Sequence, residues 1–210
     1  MPDTRGLLLS AAERLLAERG VDGVSLREIT RASGSKNAIA LQYHFDDRAG
    51  VVQAILDKHL PDVDARRHAI LDEYEADGAA DVRPLAAALV RPLAAKLADP
   101  DGGREFLQIY ADLLNRPDPI TATAERDGDS LARWRTLVEP LLAEDAARLH
   151  RRFTAILHSV IELGRRARSG PHTDDRLFTS YLIDVVTAIL AAPVSDETRR
   201  LADERDRARR

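Results

Sequence analysis

The chain has 210 residues, 44% of them hydrophobic and 31% charged, with a net charge of −4 and no cysteine. That composition argues against a scaffold built on disulfides or cysteine-bound zinc, and no apolar run approaches the roughly 18 residues that span a bilayer. A protein that coats polyanions without selectivity would carry a positive net charge, so that class is disfavoured too. Residues 1–45 nonetheless hold six Lys/Arg against five Asp/Glu, while the remainder holds 25 against 30, so a slight basic excess lies at the N-terminus. The first twenty residues alternate apolar and charged positions at helical spacing and do not divide into the basic and apolar regions of a signal peptide, which points to a cytoplasmic protein.

Leu7, Leu8, Ala11, Ala12, Leu15 and Leu16 recur every three to four residues and Gly20 follows as a C-terminal cap, so a first helix is predicted over about 4–19. Ser25-Leu26-Arg27-Glu28 fits the S-x-x-E capping box, in which hydroxyl and carboxylate each accept a backbone N–H at the helix start. The second helix turns Leu26, Ile29 and Ala32 inward and stops at Ser33-Gly34-Ser35, where Gly34 can take a left-handed conformation. A third helix, predicted over about 37–43, is too short to persist alone and needs the first two as a platform. Asp46-Asp47 then caps a long helix over about 47–76, which Pro61 bends without ending. Further helices are expected at about 82–98, 103–115 and 129–140, separated by Asp99-Pro100-Asp101-Gly102-Gly103 and by the loop from Pro117 to Gly128.

Leu142, Ala146, Leu149, Phe153, Ile156, Val160, Leu163 and Ala167 alternate spacings of four and three, the heptad seam of a helix packed along a near-parallel partner. Leu157 and Ile161 widen that stripe. The segment 174–191 presents Leu177, Phe178, Tyr181, Leu182, Val185, Val186, Ile189 and Leu190, a surface broader than one partner requires. Two such helices from each of two subunits can form a four-helix bundle across a two-fold axis, with Leu149, Phe153, Ile156, Val160, Phe178, Leu182, Val185 and Ile189 as the candidate dimer interface. Alternatively, both helices complete the core of a single chain. The charged end, Asp196 to Arg210, reads as a solvated or frayed helix.

The fold class is therefore all-α with about nine helices. Two short helices joined by a glycine-containing turn and backed by an earlier helix are the recipe for a helix-turn-helix, although a plain three-helix packing has the same periodicity. The residue content goes further. Ser25-Leu26-Arg27-Glu28-Ile29-Thr30, Ala32-Ser33-Gly34-Ser35 and Gln42-Tyr43-His44-Phe45-Asp46-Asp47-Arg48 together resemble the DNA-binding domain of the TetR (tetracycline-repressor-like) family. The resemblance covers residues 5 to about 60; beyond them it extends only to the helical layout. One extra residue between Gly34 and the Tyr-His-Phe element departs from the commonest family pattern and leaves the register of contacts open by one position.

That resemblance implies a helix-turn-helix DNA-binding domain over 1–48, followed by a helical ligand-binding and dimerisation domain over 49–210. It implies a ligand-responsive transcriptional regulator, most often a repressor, that binds a pseudo-palindromic operator as a homodimer. Its expected partners are double-stranded DNA and a small-molecule effector, with no cofactor and no membrane. Arg27, Lys36 and Asn37 fall where side chains reach the major groove, arginine and lysine suiting guanine and asparagine suiting adenine. Ala38 offers a methyl contact or close approach, and Gln42 can read a base edge or a phosphate. Tyr43, His44 and Arg48 suit phosphate contacts, while Leu41 and Phe45 belong to the core. Each has a plainer alternative: Tyr43 as a rim residue, His44 as a packed histidine, Arg27 as a partner of Glu28 or Glu13. Phe106, Tyr110, Leu113, Trp134, Leu137 and Val138 are the candidates to line an effector pocket, although ordinary core packing accounts for most such residues.

No catalytic or metal site is expected. His158 and Glu162 lie one helical turn apart without an evident third ligand, and neither a phosphate-binding glycine loop nor a nucleophile elbow is present. The second functional class left open is a helical ligand-binding or interaction protein that has lost operator binding, as the negative charge and the irregular turn would allow.

Overall fold

The computed structural model describes residues 4–35, 40–78, 80–116 and 129–209. Among them are ten α-helices and no strand: α1 (Thr4–Arg19), α2 (Leu26–Ala32), α3 (Ala40–Phe45), α4 (Arg48–Asp77), α5 (Val82–Ala94), α6 (Gly103–Leu114), α7 (Ser130–Val138), α8 (Arg151–Arg168), α9 (Arg176–Ala191) and α10 (Asp196–Ala208). The all-α class agrees with the sequence, and the tenth helix is the charged C-terminal segment. The helices form two compact units. The first comprises Met1–Val63, Leu93–Ala124 and Val160–Thr173; the second comprises Asp64–Pro92, Glu125–Ser159 and Asp174–Arg210.

In the first unit α1 has the bounds its periodicity predicts, but its inner face is broader. Leu8, Ala12 and Leu16 are buried as expected, Leu7 is exposed, and Leu9 and Glu13 turn inward. The reason is that α1 packs against α2, α3 and α6 rather than along one seam. The capping box at α2 forms in full: the Ser25 N–H donates to Glu28 Oε2 at 2.8 Å, and the Glu28 N–H donates to Ser25 Oγ at 3.3 Å. The backbone hydrogen bond from Ser25, then the Ser25 hydroxyl and Arg19, pull the Glu28 carboxyl down to about 2. Gly34 takes φ +73°, the left-handed turn expected after α2.

The corner between α3 and α4 is tight. A Cβ on Gly50 would lie 1.8 Å from the Phe45 carbonyl oxygen, so a side chain there would force the two helices apart. The Asp47 side chain accepts the Gly50 N–H at 2.8 Å and caps α4 as predicted. Pro61 lies inside the 30-residue α4 without ending it.

In the second unit a proline creates a polar obligation. Pro92 sits inside α5 and has no N–H, so the Ala88 carbonyl lacks its helical donor. Arg67, itself 6% exposed, supplies the missing bond through Nε at 3.1 Å and donates to the Ser130 hydroxyl at 2.7 Å. Trp134 is fully buried and donates its indole N–H to the Leu85 carbonyl at 2.8 Å.

The predicted seam from Leu142 to Ala167 is helical only from Arg151 onward. Leu142 is extended, Glu144–Ala146 makes a single 3-10 turn, and His150 takes φ +53°. Propensity would favour helix through this alanine-rich stretch, and the irregular turn it forms instead carries a cluster of ion pairs. Arg148 binds Asp145 at 2.8 Å, Asp203 at 2.8 Å and Asp206 at 3.0 Å, and Arg199 binds Asp145 at 3.0 Å. The same pairs dock α10, so the C-terminal segment is a capped helix, solvated over most of its length and not frayed, with Ala202 buried and Ser195 accepting the Thr198 N–H.

The depressed Glu28 carboxyl contributes stability that is present above the ordinary carboxylate range and is lost as pH falls toward about 2. Glu28→Gln keeps the capping geometry and removes the titration. The gap in urea midpoint between wild type and this variant is expected to narrow as pH drops from 6 to below 4; a gap independent of pH would contradict the assignment.

Candidate nucleic-acid interface

The helix-turn-helix is assembled from short pieces, each tied locally. Ile29 and Thr30 anchor α2, and the Thr30 hydroxyl donates to the Leu26 carbonyl at 3.0 Å. The Ser33 hydroxyl donates to the Thr30 carbonyl at 2.8 Å while accepting the Ser35 N–H at 3.3 Å, which closes the turn. In α3, Leu41 and Phe45 are buried as the sequence predicts. The Arg5 guanidinium lies over the Phe45 ring at 5.2 Å from its centroid, a cation–π contact that ties the start of α1 to the end of α3.

The outward side is polar. A hollow of about 670 Å³ is lined by Arg27, Thr30, Arg31, Ser35, Gln42 and Asp46, together with Leu26 and Leu41. Beside it a second hollow of about 380 Å³ is lined in part by Arg5, Gln42, Tyr43, His44 and Gln53. Tyr43 is 83% exposed, so its rim-of-core alternative fails; His44 is half-buried and meets the Tyr43 ring edge-on at 5.2 Å.

Cations in this region divide into two groups. Arg19 pairs with Glu28 at 3.0 Å. Arg48 donates to the Val21 carbonyl at 2.7 Å and lies 3.7 Å from Asp22, so its guanidinium is partly engaged within the protein while its side chain stays 38% exposed. Arg27 is exposed, and the partners its plainer reading required are taken: Glu28 by Ser25 and Arg19, Glu13 by Lys58 and His59. Arg31 lies one helical turn beyond Arg27 on the same hollow. Sequence reasoning missed Arg31, although its i+4 spacing from Arg27 was a usable signal. Lys36, Asn37 and Ala38 lie outside the described residues.

Residues 8–55 match the model of the bacterial regulatory proteins of the tetR family. Over those residues the N-terminal helix-turn-helix is similar to that family's domain. The function that accompanies a TetR-family domain of this kind is DNA-binding transcriptional regulation. No curated protein matches the chain.

The remaining candidates fall as follows. Phe106, Tyr110 and Leu113 are buried on α6 in the first unit, where Phe106 stacks on His59 at 4.7 Å and on Tyr110 at 5.4 Å. Trp134 and Val138 are buried and Leu137 is half-buried in the second unit, and the polar tip of Trp134 is already bonded to Leu85. Of the candidate interface residues, Ile156, Val160 and Leu182 are buried within the single chain, Leu149, Phe178, Val185 and Ile189 are half-buried, and Phe153 is exposed. Leu177 and Tyr181, at 83% and 67% exposure, are the exposed large apolar residues of α9. Among the described residues no cluster of three His, Cys, Asp or Glu is arranged to hold a metal ion, and Glu162 pairs with Arg165 at 2.9 Å. No single described helix is long and apolar enough to cross a membrane.

The division of cations predicts a division of mutant effects. Arg27→Ala and Arg31→Ala are expected to change stability by less than about 0.5 kcal/mol, as exposed substitutions usually do, while weakening DNA binding. Arg48→Ala leaves the Val21 carbonyl without its donor and is expected to lower stability by about 1 kcal/mol. Urea titration of the three variants measures the contrast, and equal stability losses in all three would contradict it.

Proposed function

We propose that the chain is a cytoplasmic, ligand-responsive repressor that binds a pseudo-palindromic operator as a homodimer. Residues 1–48 serve as the DNA-binding domain and residues 49–210 as the ligand-binding and dimerisation domain. The observation that carries the DNA reading is the polar face on α2 and α3, where Arg27, Arg31, Gln42 and Tyr43 point outward from a buried three-helix base. Arginines on this face suit guanine edges or phosphates, and Gln42 can bond bidentately to adenine. Lys36 and Asn37 add base contacts, Ala38 allows close approach, and Tyr43 and His44 contact phosphate. Arg48 contacts phosphate as well as holding the turn before α2.

Dimerisation is supported by apolar surface that the chain does not cover itself: Leu177, Tyr181 and Phe153, flanked by half-buried Phe178, Val185 and Ile189. A two-fold bundle of α8 and α9 would bury it. The dimer then presents two α3 helices to successive major grooves, with half-sites about 34–36 Å apart. An effector bound by the regulatory domain changes that separation, and a difference in affinity between the two states of about 1–3 kcal/mol is enough to switch binding.

Selection of bound sequences from random DNA is the direct test: an inverted repeat is expected, and enrichment of no sequence would overturn the proposal. Against the selected site, Tyr43→Ala and Lys36→Ala should weaken binding while leaving the dimer intact; unchanged affinity in both would remove the contact assignment. The double variant Leu177→Asp, Tyr181→Asp is expected to halve the mass measured by light scattering. A dimer that survives it would move the interface elsewhere.

A further inference from the structure

Glu13 is a carboxylate on the inner face of α1, 2% exposed and flanked by buried Leu9, Ala12, Leu16 and Ala17. Its two oxygens are held from two sides: Oε1 by His59 Nε2 at 2.9 Å, Oε2 by Lys58 Nζ at 3.0 Å. Gly102, at φ +80° just before α6, closes the site so tightly that a Cβ there would lie 2.5 Å from Glu13 Oε2. Lys58 also binds Asp101 at 2.8 Å. Burial opposes the charge on Lys58, but its hydrogen bonds to Asp101 and Glu13 together raise its pKa above the ordinary lysine value. An ion cluster buried this way is weak evidence for stability, because well-packed apolar residues usually hold a fold equally well. What it supplies is a defined register between α1 and the start of α6.

The other end of α6 holds the same domain. Asp112 Oδ2 accepts the Val21 N–H at 3.1 Å, and Arg116, just past the helix, binds Asp22 at 2.8 Å and lies 3.6 Å from Asp112. Val21 is also the residue whose carbonyl accepts from Arg48 of α4. Both backbone groups of Val21 are therefore held by other helices, four residues before the Ser25 cap of α2. A single pin would leave α1 free to rotate about it, whereas two pins separated by about 14 Å of helix fix its direction. Neither Asp112 nor Arg116 lines the hollows of the α2–α3 face.

We infer that α6 positions the DNA-reading helices through these two charged clamps, so that Asp112 and Arg116 set operator affinity without touching DNA. The inference rests on the DNA-binding reading above and concerns how that surface is held. Asp112 and Arg116 are positioning residues: they fix the Val21–Asp22 turn, the turn fixes the start of α2, and α2 carries Arg27 and Arg31.

The test uses the full chain with Asp112→Ala, Asp112→Asn and Arg27→Ala, and two readouts. The first, hydrogen exchange without DNA, is expected to show faster exchange at Val21 and along α2 in Asp112→Ala, with Asp112→Asn close to wild type because its amide oxygen still accepts the Val21 N–H. The second is affinity for the selected operator across a salt series. Asp112→Ala should bind up to about tenfold more weakly, the worth of one hydrogen bond, at every salt concentration. Its salt slope should match wild type because it neutralises the same phosphates, whereas Arg27→Ala, if Arg27 binds a phosphate, flattens the slope by about 0.9 for each phosphate no longer neutralised. Wild-type exchange in Asp112→Ala overturns the clamp, and wild-type affinity overturns its role in binding. Should Asp112→Ala lower the melting temperature of the whole chain, Arg116→Gln, which removes the pairs to Asp22 and Asp112 but keeps the Asp112–Val21 hydrogen bond, carries the same two readouts. Absence of any DNA binding by wild type refutes the function proposed above but leaves the exchange readout to judge the clamp.

Discussion

A helix of six residues cannot hold itself together in water, because nucleating the first turn fixes several residues for very few hydrogen bonds. Yet α3 carries Gln42 and Tyr43 on the candidate DNA surface, so its geometry must come from elsewhere. Leu41 and Phe45 plug it into the core, Arg5 lies against the Phe45 ring, and Gly50 lets α4 approach its last carbonyl. The first unit can be understood as the set of contacts that this short helix requires. Its recognition surface is only as well defined as α1 and α4, and those are aligned in turn through α6.

Charge follows the same division between what holds and what reads. A protein of net charge −4 must create its positive face locally, and it does so by engaging some cations within and leaving others outside. Arg19, Arg48, Lys58 and Arg116 meet carboxylates or carbonyls and set distances between helices, whereas Arg27 and Arg31 remain on the outer face of α2. In the second unit the same residue type repairs a backbone defect: Arg67 fills the hydrogen bond that Pro92 cannot make. Arginine is suited to both duties because its several donors lie in a rigid plane and its charge is permanent.

How far the fold could be read from the sequence depended on the range of the interactions involved. The bounds of α1, the capping box at Ser25, the Gly34 turn and the cap at Asp47 follow from neighbours within four residues, and the structure has them as predicted. The start of α8 could not be read from spacing, because the irregular turn at 142–150 packs through Arg148 against Asp203 and Asp206, more than fifty residues away. Glu13 was invisible as a buried group because a glutamate on an amphipathic helix ordinarily faces solvent, and its partners lie 45 and 46 residues away. On the candidate site, Arg27, Gln42 and Tyr43 were legible from spacing and residue type, Arg31 was overlooked, and the engagement of Arg48 with Val21 could not be read from one dimension.

The clamps on α6 and the bond from Arg48 all grip residues that precede Ser25 or follow Phe45, and none grips α2 or α3 directly. The stretch between those points behaves as an exchangeable cassette. Substitutions on its outer face leave those contacts untouched, so the surface of the cassette can vary widely over one inherited mounting.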